Sequence, residues 1–139
     1  MARPLWTCAR CGRSFANTNQ THTCAPLGSL DDHFAGSEPV VREIFDVLRA
    51  AAEPVEVLAE KSRIAFHVRM SFAAFVPRRR WLDGHLVLAR EASHDAFTRV
   101  EVFSRRNVLH AFRLHEIPDD AFLELLAEAR DVGEQRHLS

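Results

Sequence analysis

The spacing of apolar positions changes period along this chain, and each change marks an element. Val41, Ile44, Phe45 and Leu48 follow the i, i+3, i+4, i+7 rule of an amphipathic helix of about four turns, with Glu43, Asp46 and Arg49 toward its other side. Ser37 reads as its N-cap, Glu38 and Pro39 as its first turn, and Pro54 lies beyond its end. After Pro54 the period becomes two. Val55 and Val57 form a short strand, and Ile64, Phe66, Val68 and Met70 alternate with Arg63, Ala65, His67 and Arg69 in a longer one. Phe72 to Val76 continues as strand, and Pro77-Arg78-Arg79-Arg80 reads as a hairpin turn. Trp81 to Leu88 returns, with Leu82, Leu86 and Leu88 on one face. Gly84 thins that face and marks a bulge or a closely packed helix.

Residues 90–98 are polar and irregular, and Val100 and Val102 suggest a short strand. Arg105-Arg106-Asn107 makes a turn. Val108, His110, Phe112 and Leu114 then alternate with Leu109, Ala111, Arg113 and His115. The last helix opens with Pro118 at N1, and Asp119 and Asp120 complement its dipole. Phe122, Leu125, Leu126 and Ala129 make its apolar stripe, and Gly133 is its expected C′ stop. Upstream, Ser29 with Asp31 and Asp32 caps a short helical turn carrying His33 and Phe34, stopped at Gly36.

A run of strands flanked by helices predicts an α+β fold. We expect an antiparallel sheet of about five or six strands, covered on one face by two helices. Residues 1–28 differ from this pattern and form an N-terminal zinc-knuckle appendage; residues 29–139 form the α+β domain. Between Trp6 and Cys24 only Trp6 and Phe15 are large apolar side chains, too few to fold that segment by burial alone.

Metal is the expected substitute. Cys8-Ala9-Arg10-Cys11 brings two sulfurs into one concavity, and Gly12 permits the sharp turn that follows. His22 and Cys24, spaced i, i+2, project to one side of an extended segment. Cys8, Cys11, His22 and Cys24 together suit structural, tetrahedral Zn²⁺, with Zn–S near ~2.3 Å and Zn–N near ~2.0 Å. Three cysteines are an odd number, which argues against a disulfide framework. His33 is the reserve ligand if His22 faces away.

Composition excludes several classes. At 139 residues, 47% hydrophobic and 27% charged, the chain is an ordinary globular one, with no apolar run long enough to span a bilayer and no secretory h-region at its start. Thiols arranged for metal point to a cytoplasmic location. The net charge of −1 hides a segregation: Lys61, Arg63, Arg69, Arg78, Arg79 and Arg80 stand in residues 61–82 with no acid among them, whereas residues 116–139 hold seven acids against two arginines.

The chemistry falls on the sheet face opposite the helices, where alternation places Arg63, His67, Arg69, Trp81, Asp83, His85, Arg113 and His115. Trp81 offers stacking area and the guanidinium groups offer anion contacts. A one-residue slip of register would exchange this face with the core. Asp83 and His85, with His67 or His110 across from them, could instead form an acid–base pair of a small-molecule enzyme, or a second metal site. The turn Arg78-Arg79-Arg80 could grip phosphates, extended by Arg10 and Arg13, with Asn17, Asn19 and Gln20 reaching bases. No nucleophile motif, phosphate loop or paired-carboxylate arrangement is present, so catalysis is the weaker reading. The sequence therefore favours a binding module for an anionic partner, nucleic acid or an acidic protein. A homo-oligomeric structural protein using the free face is the other alternative.

Four stretches carry a family resemblance: Leu5 to Cys24, Asp32-His33-Phe34, Arg63-Ile64-Ala65-Phe66 and Trp81-Leu82-Asp83-Gly84-His85-Leu86. Together they resemble the bacterial proteins grouped as domain of unknown function family 5655, over nearly the full chain. The resemblance implies that Cys8, Cys11, His22 and Cys24 are a shared ligand set and that residues from about Ser29 onward are the family's α+β domain. Many relatives have a proline inside the knuckle where this chain has Ala9. The resemblance brings no established activity. Related domains are sometimes attached to nuclease-like modules, which favours nucleic-acid work by fold-level analogy alone.

Overall fold

A computed structural model describes residues 4–20 and 28–136. Within them the chain runs β1 (Trp6–Thr7), β2 (Ser14–Phe15), α1 (Leu30–Phe34), α2 (Pro39–Ala52), β3 (Glu56–Ala59), β4 (Ile64–His67), β5 (Ser71–Pro77), β6 (Leu82–Leu88), β7 (Phe97–Ser104), β8 (Asn107–Leu114) and α3 (Asp120–Gly133). The fold is α+β. Six antiparallel strands lie in the order β3-β4-β5-β6-β8-β7, and β1 and β2 make a separate two-stranded sheet.

The helical period of α2 survives intact: Val41, Ile44, Phe45 and Leu48 are fully buried. They meet a ladder of rings from the sheet. Phe45 lies 5.6 Å from Phe66, Phe66 4.6 Å from Phe75, Phe75 6.0 Å from Phe112, and Phe112 5.0 Å from Phe122 of α3. The ladder spans β4, β5, β6's neighbour β8 and both long helices, so all of these elements share one core.

Caps and ends depart from the sequence expectation by small steps. Glu38, not Ser37, occupies the N-cap of α2, with Pro39 at its first position. Ser37 Oγ instead donates to Arg78 O at 2.7 Å, which ties the helix start to the turn before β6. Pro118 lies outside α3. Asp119 is the N-cap, and its carboxylate accepts from Phe122 N at 2.8 Å. Ser29 caps α1 as expected, accepting from Asp31 N. Gly133 belongs to the last turn of α3 rather than following it; the left-handed position past the helix is taken by Gln135 at φ +63°, and Phe72 and Val68 pack where the Gly133 Cβ would stand.

Two strands differ more. The long strand expected through Met70 ends at His67, where the register with β5 shifts from Phe66↔Ala73 to His67↔Ser71. The extra β5 residue allows Phe72 and Ala73 both to enter the core. Arg69 therefore leaves the sheet, and its Nε donates to Gln135 Oε1 at 3.0 Å beyond the end of α3. Conversely, β7 is eight residues long. It reaches the sheet edge because the segment before it crosses β8. Ala92 N donates to His110 Nε2 at 2.9 Å, while His110 Nδ1 donates to Val108 O at 3.0 Å. His110 is fully buried in this role, and burial pushes its pKa below the ordinary value.

The N-terminal segment is not the bare zinc-knuckle appendage expected. It is a β1–β2 hairpin whose Phe15, Cys8 and Ala16 are buried, so apolar contact contributes to its shape. It lies on the sheet face away from the helices, with the Phe15 ring edge-on to His67 at 6.1 Å.

Candidate functional site

The register of the central strands builds this face row by row. Ala65 pairs with Ala74, Ala74 with His85, His85 with Ala111 and Ala111 with Arg99. One row away, Val76 pairs with Asp83 and Asp83 with Arg113. Because side chains alternate along a strand, all of these point away from the helices. The result is a floor of small alanines with His85 standing in its middle and arginines toward its rim.

Burial pushes the His85 pKa down to about 4, and the charges of Arg63 and Arg99 press it the same way. The imidazole is therefore neutral near pH 7. Neither of its nitrogens makes a hydrogen bond to the described residues. A neutral, half-buried ring flanked by two guanidinium groups has donor and acceptor capacity left for something outside the chain.

Asp83 has a different task. Arg113 Nε donates to its Oδ1 at 2.8 Å, Arg113 Nη2 to its Oδ2 at 3.3 Å, and Arg78 Nε to its Oδ2 at 3.1 Å. Burial alone would raise its pKa, but these two arginines, with the Trp81 indole beside them, outweigh that and hold it below the usual carboxylate range. Trp81 Nε1 is buried and forms no hydrogen bond of good geometry, so it acts on Asp83 as a nearby dipole. The Arg113 guanidinium sits 4.5 Å from the Trp81 ring centroid, and His115 lies 5.6 Å from that ring. Trp81 is thus half-buried beneath an arginine rather than open for stacking.

His67 faces the hairpin. Its Nδ1 is 3.1 Å from Ser71 Oγ, and the ring also hydrogen-bonds the Ser14 backbone. Burial lowers its pKa, aided by Arg13 and opposed by Glu56, Ser14 and Glu60. Asp83, His85 and His67 share a face, yet no hydrogen bond joins any two of them. Asp83 and His67 are committed to other neighbours and His85 has none among the described residues, so an acid–base pair is not assembled. His33 lies elsewhere, donating from Nε2 to Glu60 O at 2.7 Å.

Most of the arginines singled out from sequence are ion-paired. Arg63 meets Glu60 at 3.0 Å and Arg80 meets Glu38 at 3.5 Å, while Arg78 and Arg113 share Asp83. Of the turn Arg78-Arg79-Arg80 only Arg79 has no ion pair among the described residues. Arg99, which sequence reasoning missed, enters the face because β7 pairs with β8; it bridges to Glu101 at 3.0 Å. Nothing local in the sequence announces that pairing.

At the knuckle, Gly12 adopts φ +76°, its N–H donates to Cys8 O at 2.8 Å, and Cys8 N donates to Arg13 O at 2.8 Å. This is a turn that draws Cys8 and Cys11 together, and it fits half of a tetrahedral thiolate site. His22 and Cys24 lie outside the described residues. Among the described residues, no three histidine, cysteine or acidic side chains gather as a metal would require. Nor is any described helix long and apolar enough to cross a membrane.

The model of one protein family, described as "Domain of unknown function (DUF5655)", matches residues 30–132. The match covers the six-stranded sheet, α1, α2 and all but the last residue of α3, and not the hairpin. No curated protein and no solved structure matches the chain.

Proposed function

We propose for this chain, which belongs to the DUF5655 family, the role of a zinc-binding module that docks an anionic partner, nucleic acid or an acidic protein, on the face around His85. The observation that carries the reading is the neutral His85 ring, without a hydrogen-bond partner among the described residues, between the charges of Arg63 and Arg99. An imidazole N–H and two guanidinium groups above a floor of alanines offer donors to phosphate or carboxylate oxygens. The carboxylates of Glu60 and Glu101 hold those guanidiniums in place until a stronger anion competes.

Zinc would be held by Cys8, Cys11, His22 and Cys24. It supplies a cross-link that fixes the hairpin beside this face, and no chemistry beyond that. The knuckle turn at Gly12 supports the first two ligands.

Binding of labelled single- and double-stranded oligonucleotides and of an acidic peptide at low salt tests the proposal. His85→Ala and Arg99→Glu should each weaken the complex about tenfold or more, and binding should fall as salt rises. If none of these anions binds at low salt, the reading fails.

A further inference from the structure

We propose that the chain pairs with a second copy of itself through β7, in an antiparallel register centred on Val100. Strand β7 is an edge of the six-stranded sheet, and among the described strands its one neighbour is β8. Its outer positions are unusually apolar for an edge: Val100 is 40%, Val102 58% and Phe103 63% exposed. Helix α3 reaches β7 at Phe97, whose ring lies 6.2 Å from Phe122, and beyond that point Val100 and Val102 stay exposed. A long apolar edge is a template for strand addition unless charge or irregularity blocks it.

Symmetry restricts what can be added. A two-fold axis that pairs a strand with its own copy antiparallel stands normal to the sheet. It keeps each side chain on its own face, so the pairing must be centred on a residue. Centred on Arg99 it would oppose Arg99 to Arg99. Centred on Glu101 it would oppose Glu101 to Glu101. Like charges directly across a sheet are destabilising. Centred on Val100, Arg99 faces the second copy's Glu101, Glu101 faces the second copy's Arg99, and Val100 meets Val100. The regular part of β7 lies between its two irregularities, at Phe97/Arg99 and Val102/Ser104, and Val100 is within it. The same register carries the Arg105-Arg106 turn of each copy toward Asp95 of the other.

The charges on β7 therefore act as a register code rather than as a simple guard. Arg99 and Glu101 already lie side by side at 3.0 Å within one chain, and pairing would extend that contact into a four-charge row. On the other face Val100 and Val102 of both copies would cover one another. The two six-stranded sheets would become one, with the helices of both copies on the same side. The two His85 faces would then be continuous, joined at Arg99.

Sedimentation equilibrium and light scattering across a concentration series test this. The wild type should approach twice the 15.8 kDa mass of one chain. Arg99→Glu and Glu101→Arg should each weaken association at least about tenfold, because each sets like charges opposite one another. The double reversal, Arg99→Glu with Glu101→Arg, should restore it. Val100→Cys should form an intermolecular disulfide on mild oxidation, and Val102→Cys should not. These positions are exposed or at the edge, and a thermal melt of each variant confirms that it is folded. A wild type that stays monomeric overturns the proposal. So does a dimer that survives both single reversals, or one that the double reversal fails to restore.

Discussion

The Phe112 ring fills the space above Gly84, where a Cβ would lie 2.6 Å from its Cζ. The backbone carbonyl of Ala74 closes the same space from the neighbouring strand. The glycine expected to mark a bulge or a close helix instead admits a ring from β8 into the aromatic ladder, and the β6–β8 register runs through it without a shift. Gly84→Ala should therefore overpack the core and lower stability by about 1–3 kcal/mol, read as a lower denaturation midpoint. Phe112→Leu in the same background should recover part of the loss, giving a non-additive double-mutant cycle. Full recovery is not expected, since the Ala74 carbonyl stays where it is. A neutral Gly84→Ala variant would contradict this packing.

His85 sets a pH dependence whose sign follows from its environment. Its pKa is near the ordinary 6.5 in the unfolded chain and about 4 in the folded one. Between those values the unfolded state binds more protons, so stability is full above pH 6.5 and is lost as pH falls toward 4. The share owed to this one ring is on the order of 2 kcal/mol after allowance for its partial exposure. His67 and His110 are shifted in the same direction, so the test is a difference. Denaturant melts at pH 7 and pH 4.5 should show a smaller acid loss in His85→Gln than in the wild type. An imidazole signal from His85 that titrates between pH 6 and 7 would oppose the neutral, half-buried ring.

How far these features could be read from the chain depended on the range of the interactions that set them. The stripe of α2 was legible because one helix face is set by local spacing, and Val41, Ile44, Phe45 and Leu48 are all buried on it. The placing of Asp83, His85 and Arg113 on one face was legible because β6 and β8 pair without irregularity. Arg69 was misplaced because the bulge in β5 at Phe72, which ends β4 early, leaves no mark on the alternation of β4 itself. The order β6-β8-β7 was hidden because the crossing is pinned by a distant contact, Ala92 with His110. Arg99 was missed for the same reason. The burial of Phe15 against His67 was also out of reach, since it joins two segments far apart in the chain.

Asp83 restrains two arginines beside the candidate face, Arg78 and Arg113. Both are substantially exposed, with Arg78 at 54% and Arg113 at 45% of side-chain surface, so the ion pairs contribute little to folding. Asp83→Asn should cost at most about 1 kcal/mol. It should also release Arg78 and Arg113 and add positive potential beside His85. Fluorescence anisotropy with a labelled oligonucleotide or acidic peptide should then report tighter binding than the wild type at low salt, with the difference shrinking as salt rises. Weaker binding would mean that Asp83 itself contacts the partner, and the anionic reading would have to yield.

The hairpin offers a test in which metal and apolar packing make separate predictions. Elemental analysis of purified protein should find stoichiometric zinc, and Cys8→Ser or Cys11→Ser should abolish it. Stripping the metal with a strong chelator should release β1–β2 from the sheet while the amides of β6 and β8 keep their protection. His67 gives a specific readout. Its pKa is lowered chiefly by burial, and the hairpin supplies the Phe15 ring and the Ser14 backbone against it. Loss of the hairpin should let His67 return toward 6.5 and titrate as an exposed histidine. A His67 signal unchanged by chelation would show that Phe15, Cys8 and Ala16 hold the segment through burial, with zinc contributing nothing to its docking.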